Sequence, residues 1–123
     1  MTYSLRRVLC PLALAVLVSS CAGPQIHHQQ LSVLDKGLST AQSISRLGLQ
    51  PLSIQTATAG GRTFDFHRYR MNNGVHTDLY LLAFERDSLL FWGYVSEFRR
   101  QPDNDLSLAL TTALRDAGAT AKQ

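Results

Sequence analysis

The chain has 123 residues, about one domain's worth, with 45% hydrophobic and 8% aromatic residues and a formal charge of +3. That composition excludes a disordered or low-complexity polymer. The positive excess sits at the start. With Arg6 and Arg7 set aside, Lys and Arg outnumber Asp and Glu by only one, so the basic surface that a nucleic-acid partner requires is missing and no nucleic acid is expected.

Arg6-Arg7 leads into a nearly unbroken apolar run, Val8 to Val18, followed by Ser19-Ser20 and Cys21. A run of about eleven is too short to cross a ~30 Å hydrocarbon core as a helix but suits the apolar region of a signal peptide. Leu17-Val18-Ser19-Ser20-Cys21 resembles the lipobox of bacterial lipoproteins, in which small residues admit the signal peptidase and the thiol receives a diacylglyceryl group. The resemblance implies a signal peptide over 1–20 and lipidation of Cys21. The other reading is ordinary secretory cleavage near Ala22-Gly23, which discards Cys21. Cys10 falls within the leader, leaving Cys21 without an intramolecular disulfide partner. Several acyl chains on it would anchor the protein durably, at about 0.8 kcal/mol per buried CH₂. Ala22, where Asp would retain a lipoprotein at the inner membrane, resembles the outer-membrane sorting pattern and implies a periplasm-facing, lipid-anchored location.

Residues 21–30 are small and polar with a Gly-Pro pair, and read as a flexible tether. A single α+β domain is expected over 31–117, with a disordered tail over 118–123. Leu31 and Leu34 suggest a helical turn stopped by Gly37. Ser39 with Gln42 forms a capping-box pattern, and Ala41, Ile44 and Leu47 follow at helical spacing up to Gly48. Pro51 prevents continuation. Gln55 to Gly61 reads as a Thr/Ala/Gly-rich connection. Three strands are then expected, Thr63–Arg70, His76–Phe84 and Leu89–Phe98, joined by Asn72-Asn73-Gly74 and Glu85-Arg86-Asp87-Ser88. On the third, strict alternation would put Leu90, Trp92, Tyr94, Ser96 and Phe98 on one face, with Trp92 and Tyr94 in the core. Past Pro102-Asp103-Asn104-Asp105, Leu106, Ala109, Leu110, Ala113, Leu114 and Ala117 mark a closing amphipathic helix. The expected fold is a short N-terminal helix pair packed on a three-stranded antiparallel meander, plus that C-terminal helix.

Lys36-Gly37-Leu38-Ser39, Ile44 and Leu47-Gly48, preceded by the lipobox and followed by a meander, resemble the SmpA/OmlA (BamE-like) family of outer-membrane lipoproteins. That family carries a Gly-Met-Thr/Ser helix start, a Leu-Gly helix end and a nearby Pro. Leu38 replaces the Met here, and Pro51 stands one position later than usual. The resemblance covers about residues 31–98; the final helix is additional, and the strands show no clear counterpart of the family's partner-contacting residues. It implies a non-enzymatic module that binds another envelope protein, and a β-lactamase-inhibitor-like fold.

Chemistry is sparse in the sequence. There is no Gly-x-Ser-x-Gly elbow, and Gly60-Gly61 precedes a strand, so no helix dipole is aimed at an anion. His67 and His76 flank a hairpin, with Asp65 and Asp78 two residues from each; on one face they would bind a metal or move a proton, whereas alternating polar residues also mark a solvated strand face. His27-His28 has no third ligand. No catalytic residue, metal or cofactor is assigned. Arg68 and Arg70 share a strand face, and with Arg99 and Arg100 they form a candidate patch for anionic lipid or a partner, or protective edge charges. The alternatives to a scaffolding lipoprotein are a periplasmic inhibitor, a small-ligand-binding lipoprotein, or an enzyme using the His67/His76 region.

Overall fold

The computed structural model describes residues 25–121; Cys21 and the leader lie outside the described residues. The order is β1 (Ile26–His27), a 3-10 helix (His28–Val33), α1 (Thr40–Leu47), β2 (Ser53–Ala59), β3 (Arg62–Asn72), β4 (Thr77–Glu85), β5 (Ser88–Tyr94), α2 (Val95–Arg99) and α3 (Asn104–Ala121). The class is α+β. β2 to β5 form an antiparallel meander, and β1 adds a short parallel pairing at the end of β3.

The sheet therefore has one more meander strand than expected. Ser53–Ala59 pairs along β3 from Arg68 to Arg62 through the Gly60-Gly61 turn. Both glycines have positive φ, +60° and +76°, the requirement of a two-residue hairpin turn that matches strand twist. β2 eluded the sequence reading because its Ala and Thr side chains carry little apolar signal. Two boundaries also move. Ile26 is fully buried and pairs with Met71, so the latter half of 21–30 is folded. At the other end α3 runs to Ala121, through most of the expected tail.

α1 starts as its capping box dictates: the Gln42 amide donates to Ser39 Oγ at 3.1 Å and the Ser39 amide to Gln42 Oε1 at 2.9 Å. It ends at Gly48, whose φ of +71° admits the left-handed cap. Its buried positions are Ser43 and Leu47, with Ile44 half-buried and Ala41 exposed, a stripe at i and i+4. The Glu85 to Ser88 turn holds Arg86 and Asp87 at positive φ. There Asp87 Oδ1 accepts the Thr40 amide at 2.9 Å, tying α1 to the β4–β5 turn. The amide of Leu89 donates to Leu38 and that of Gly37 to Leu89, covering part of the β5 edge.

Both faces of the sheet are covered. Ile26, Leu34, Leu38, Leu47, Tyr69, Leu82 and Phe84 form the core on the α1 side. Phe64, Phe66, Leu81, Phe98, Leu106 and Leu110 form the core on the α2/α3 side. The expected single face of the last strand is broken in two ways. A bulge skips Leu90, since Phe84 pairs with Leu89 and Ala83 with Phe91. Leu90 and Phe91 thus pack on the α3 side while Leu89, Trp92 and Tyr94 pack on the α1 side. Beyond Tyr94 the chain turns into α2, which carries Phe98 over the sheet to meet Phe66 and Phe91 edge-on, with ring centroids 6.1 and 4.8 Å away.

Leu47 tests the α1 layer. Leu47→Ala should lower stability by roughly 2 to 5 kcal/mol, read as a lower urea midpoint at unchanged slope.

Candidate functional site

The four histidine and aspartate candidates on β3 and β4 do not converge. Register places Asp65, His67 and Asp78 on the α1 face, through the pairs Asp65–Phe84, His67–Leu82 and Met71–Asp78. Tyr69 and its partner Tyr80 stand between His67 and Asp78. Four residues of strand separate His67 from the Met71–Asp78 pair, about 14 Å at ~3.4 Å per residue. His76 lies outside the strands, exposed, with Nδ1 3.0 Å from Asp78. Among the described residues no three His, Cys, Asp or Glu side chains form a metal-holding group.

His67 is buried instead, its ring 4.5 Å from that of Phe84, with Nδ1 lacking a hydrogen-bond partner. Burial pushes its pKa below the ordinary value, against the weaker pull of Asp65 and Asp87. Burial likewise raises Tyr69 to about 12, and its hydroxyl donates to the Leu49 carbonyl at 2.9 Å.

The densest polar assembly gathers around Arg62. Arg62, at the start of β3, forks onto Glu85, with Nε and Nη2 at 2.9 and 2.8 Å from the two carboxylate oxygens. Its Nη1 reaches Asp103 at 3.0 Å and Asp105 at 3.5 Å. The guanidinium also lies 4.8 Å from the centre of the Phe64 ring. Asp103 Oδ1 in turn accepts the Leu106 amide at the start of α3, at 3.1 Å. Hydrogen bonding to Arg62 holds Glu85 below the usual carboxylate range and raises the guanidinium above its own. Gly60 has room only for hydrogen here, because a Cβ would strike the Asp105 carboxylate. These contacts join β3, β4 and α3, and set one cation among three acids, so the cluster keeps a net negative charge. The only hint in the sequence was the approach of Arg62 to a glycine turn, which carries no information about Glu85 or Asp103.

Of the arginine patch, two members share a face of β3 and the other two stand at the end of α2. Arg68 and Arg70 lie on the α3 face of β3, opposite Leu81 and Leu79, beyond the part that α3 covers. With Leu52, Thr77, Asp78 and Leu79 they line a shallow cavity of about 260 Å³. Arg68 Nη1 lies 3.3 Å from Ser53 Oγ, and its buried Nε has no partner; Arg70 is exposed. Arg99 and Arg100 follow Phe98, which sits over the Phe66 and Phe91 row, and the chain then proceeds to Asp103 at the Arg62 end. They are exposed and belong to α2 and its cap, because the chain leaves β5 at Tyr94 and turns into a helix. Among the described residues no helix is long and apolar enough to cross a membrane. Comparison with family models, curated proteins and solved structures returns no match.

Two outcomes are expected. Arg62→Met, which leaves Glu85, Asp103 and Asp105 facing one another, should lower the urea midpoint, and added salt should recover part of the loss by screening the carboxylates. Arg62→Lys should fall between, lacking the fork. For His67 the sign follows from its lowered pKa: the unfolded chain takes up the proton near pH 6.5 and the folded chain resists it. Stability is therefore full above that pH and falls below it, at no more than ~1.4 kcal/mol per pH unit. Urea melts between pH 7.5 and 5 should show this slope, and His67→Gln should flatten it.

Proposed function

We propose that this chain is a lipid-anchored cell-envelope lipoprotein whose domain serves as a non-enzymatic protein-binding or scaffolding module at the periplasmic face of the outer membrane. The observation that carries the reading is the order Arg6-Arg7, apolar run, Ser19-Ser20-Cys21 ending only four residues before Gln25, where the described fold begins. Little chain is left between the acylated Cys and the folded body, and the segment's evident use is attachment. Binding is favoured over catalysis because the ionisable groups have structural employment: Arg62 with three acids, Asp87 on the α1 amide, His67 inside a core.

The kinship proposed is with the SmpA/OmlA lipoproteins and their helix-pair-on-meander plan. It is supported by the capped helix between Gly37-Leu38-Ser39 and Leu47-Gly48, and by helices preceding the meander. β2, α2 and α3 would be this chain's own elaborations of that plan.

Cys21→Ala decides the anchoring. The variant should remain unprocessed or leave the membrane fraction, and undiminished membrane retention of it overturns the reading. Crosslinking in living cells followed by mass spectrometry tests the scaffold role, for which a reproducible envelope protein should be recovered with the wild-type chain.

A further inference from the structure

The place where the chain enters the fold, the distribution of charge along the sheet and the position of its exposed apolar side chains coincide at one end of the molecule. Gln25 lies beside the end of β3, its Oε1 accepting Asn72 Nδ2 at 2.9 Å, and Ile26 and His27 pair with Met71 and Asn72. Four residues of fully extended chain reach at most ~14 Å. An acyl group on Cys21 thus confines the bilayer surface to that distance from the β3–β4 end. The distance is under two screening lengths at physiological salt, each about 8 Å, so charges at this end feel an anionic headgroup layer.

The chemistry there suits such a layer. Arg68 and Arg70 flank a cavity whose other walls include Leu52 and Leu79. Asp78, which also borders it, takes the α1 face of the sheet by alternation, with His76 Nδ1 3.0 Å from its carboxylate, and Glu97 accepts the Tyr94 amide at 2.8 Å. Leu52 is 46% exposed and Val75 86%. Val75 is held out by design of the turn: Asn73 Oδ1 accepts the amides of Val75 and His76, and Asn72 Oδ1 that of Gly74. The opposite end of the sheet bears Glu85, Asp87, Asp103 and Asp105 against Arg62 and Arg86, and an anionic surface would repel it.

We propose that the domain rests on the bilayer through its β3–β4 end, with Val75 and Leu52 entering the headgroup layer and Arg68 and Arg70 pairing with anionic lipid. The proposal rests on the lipoprotein reading of Cys21. It holds the sheet upright with the Arg62 end turned toward the periplasm, and leaves α2, α3 and the acidic turns free for a protein partner.

The experiment uses the full chain, acylated in cells, purified and reconstituted into phosphatidylcholine vesicles with or without phosphatidylglycerol. A fluorophore is placed at Val75→Cys or, as the distal control, at exposed Asn104→Cys in α3. A nitroxide on the lipid headgroup should quench the label at position 75 several-fold more than that at 104, and more so with phosphatidylglycerol. Each arginine should shift the balance between facing and non-facing orientations by roughly fivefold. Arg70→Gln, an exposed and structurally mild change, and the double variant with Arg68→Gln should therefore reduce the difference, as should added salt. Equal quenching at the two positions overturns the proposal, as does a position-75 label shielded from water but untouched by the lipid nitroxide, the mark of a protein occupant. The mass of the purified chain separates the two layers of inference. An unacylated Cys21 removes both, whereas an acylated chain with unbiased quenching removes the orientation and leaves the lipoprotein reading standing.

Discussion

β4 buries Tyr80, Leu82 and Phe84 on one face and Leu81 and Ala83 on the other, and this double burial demands an apolar layer on each side of the sheet. A strand of that kind left wet on one side would expose side chains worth roughly 1.5 to 3 kcal/mol apiece. The 3-10 helix, α1 and the segment between them supply one layer; α2 and α3 supply the other. The turns follow from this demand. Positive φ at Gly60 and Gly61 returns β2 alongside β3, and at Arg86 and Asp87 returns β5 alongside β4, so that the sheet is wide enough for both covers.

Polar groups then fix how the layers sit. Apolar contact alone would let a helix slide over a surface of Phe, Leu and Ala. Arg62 removes that freedom on the α3 side, since its fork on Glu85 sets its plane and its remaining nitrogen addresses Asp103 at the helix start. On the α1 side Asp87 does the corresponding work on the Thr40 amide. Both anchors lie at the same end of the sheet. The N-terminal segment joins at the opposite end, around Asn72 to Thr77, where Asn72 bonds to Gln25. The division suits the lipid-anchored module proposed above: one end locks the layers together, and the other would stand next to the proposed attachment point.

α1 and α3 were legible because their signals are local. Ser39 and Gln42 satisfy each other's backbone amides whatever surrounds them, Gly48 alone accepts the left-handed cap without strain, and the Leu/Ala spacing from Leu106 to Ala117 makes a stripe in any helix. The hairpin around Asn72-Asn73-Gly74 was legible for the same reason, as side-chain oxygens there bond to amides two or three residues on. The strand Ser53–Ala59 was not, because its Thr and Ala residues acquire meaning only when β3 is beside them. The bulge at Leu90 was equally hidden: one skipped residue reverses the faces of a strand without altering its composition.

The candidate sites divide along the same line. By itself the sequence determined α1, α3, most of the strands and the common face of Arg68 and Arg70, because each depends on residues within a few positions of one another or on strict alternation. Tertiary structure alone decided that His67 is a core residue while His76 is exposed, that Arg99 and Arg100 leave the sheet with α2, and that Arg62 gathers Glu85, Asp103 and Asp105. The Arg62 contacts join residues 23 to 43 positions apart, and what brings such residues together is the burial of the apolar faces between them, which no short stretch of sequence records.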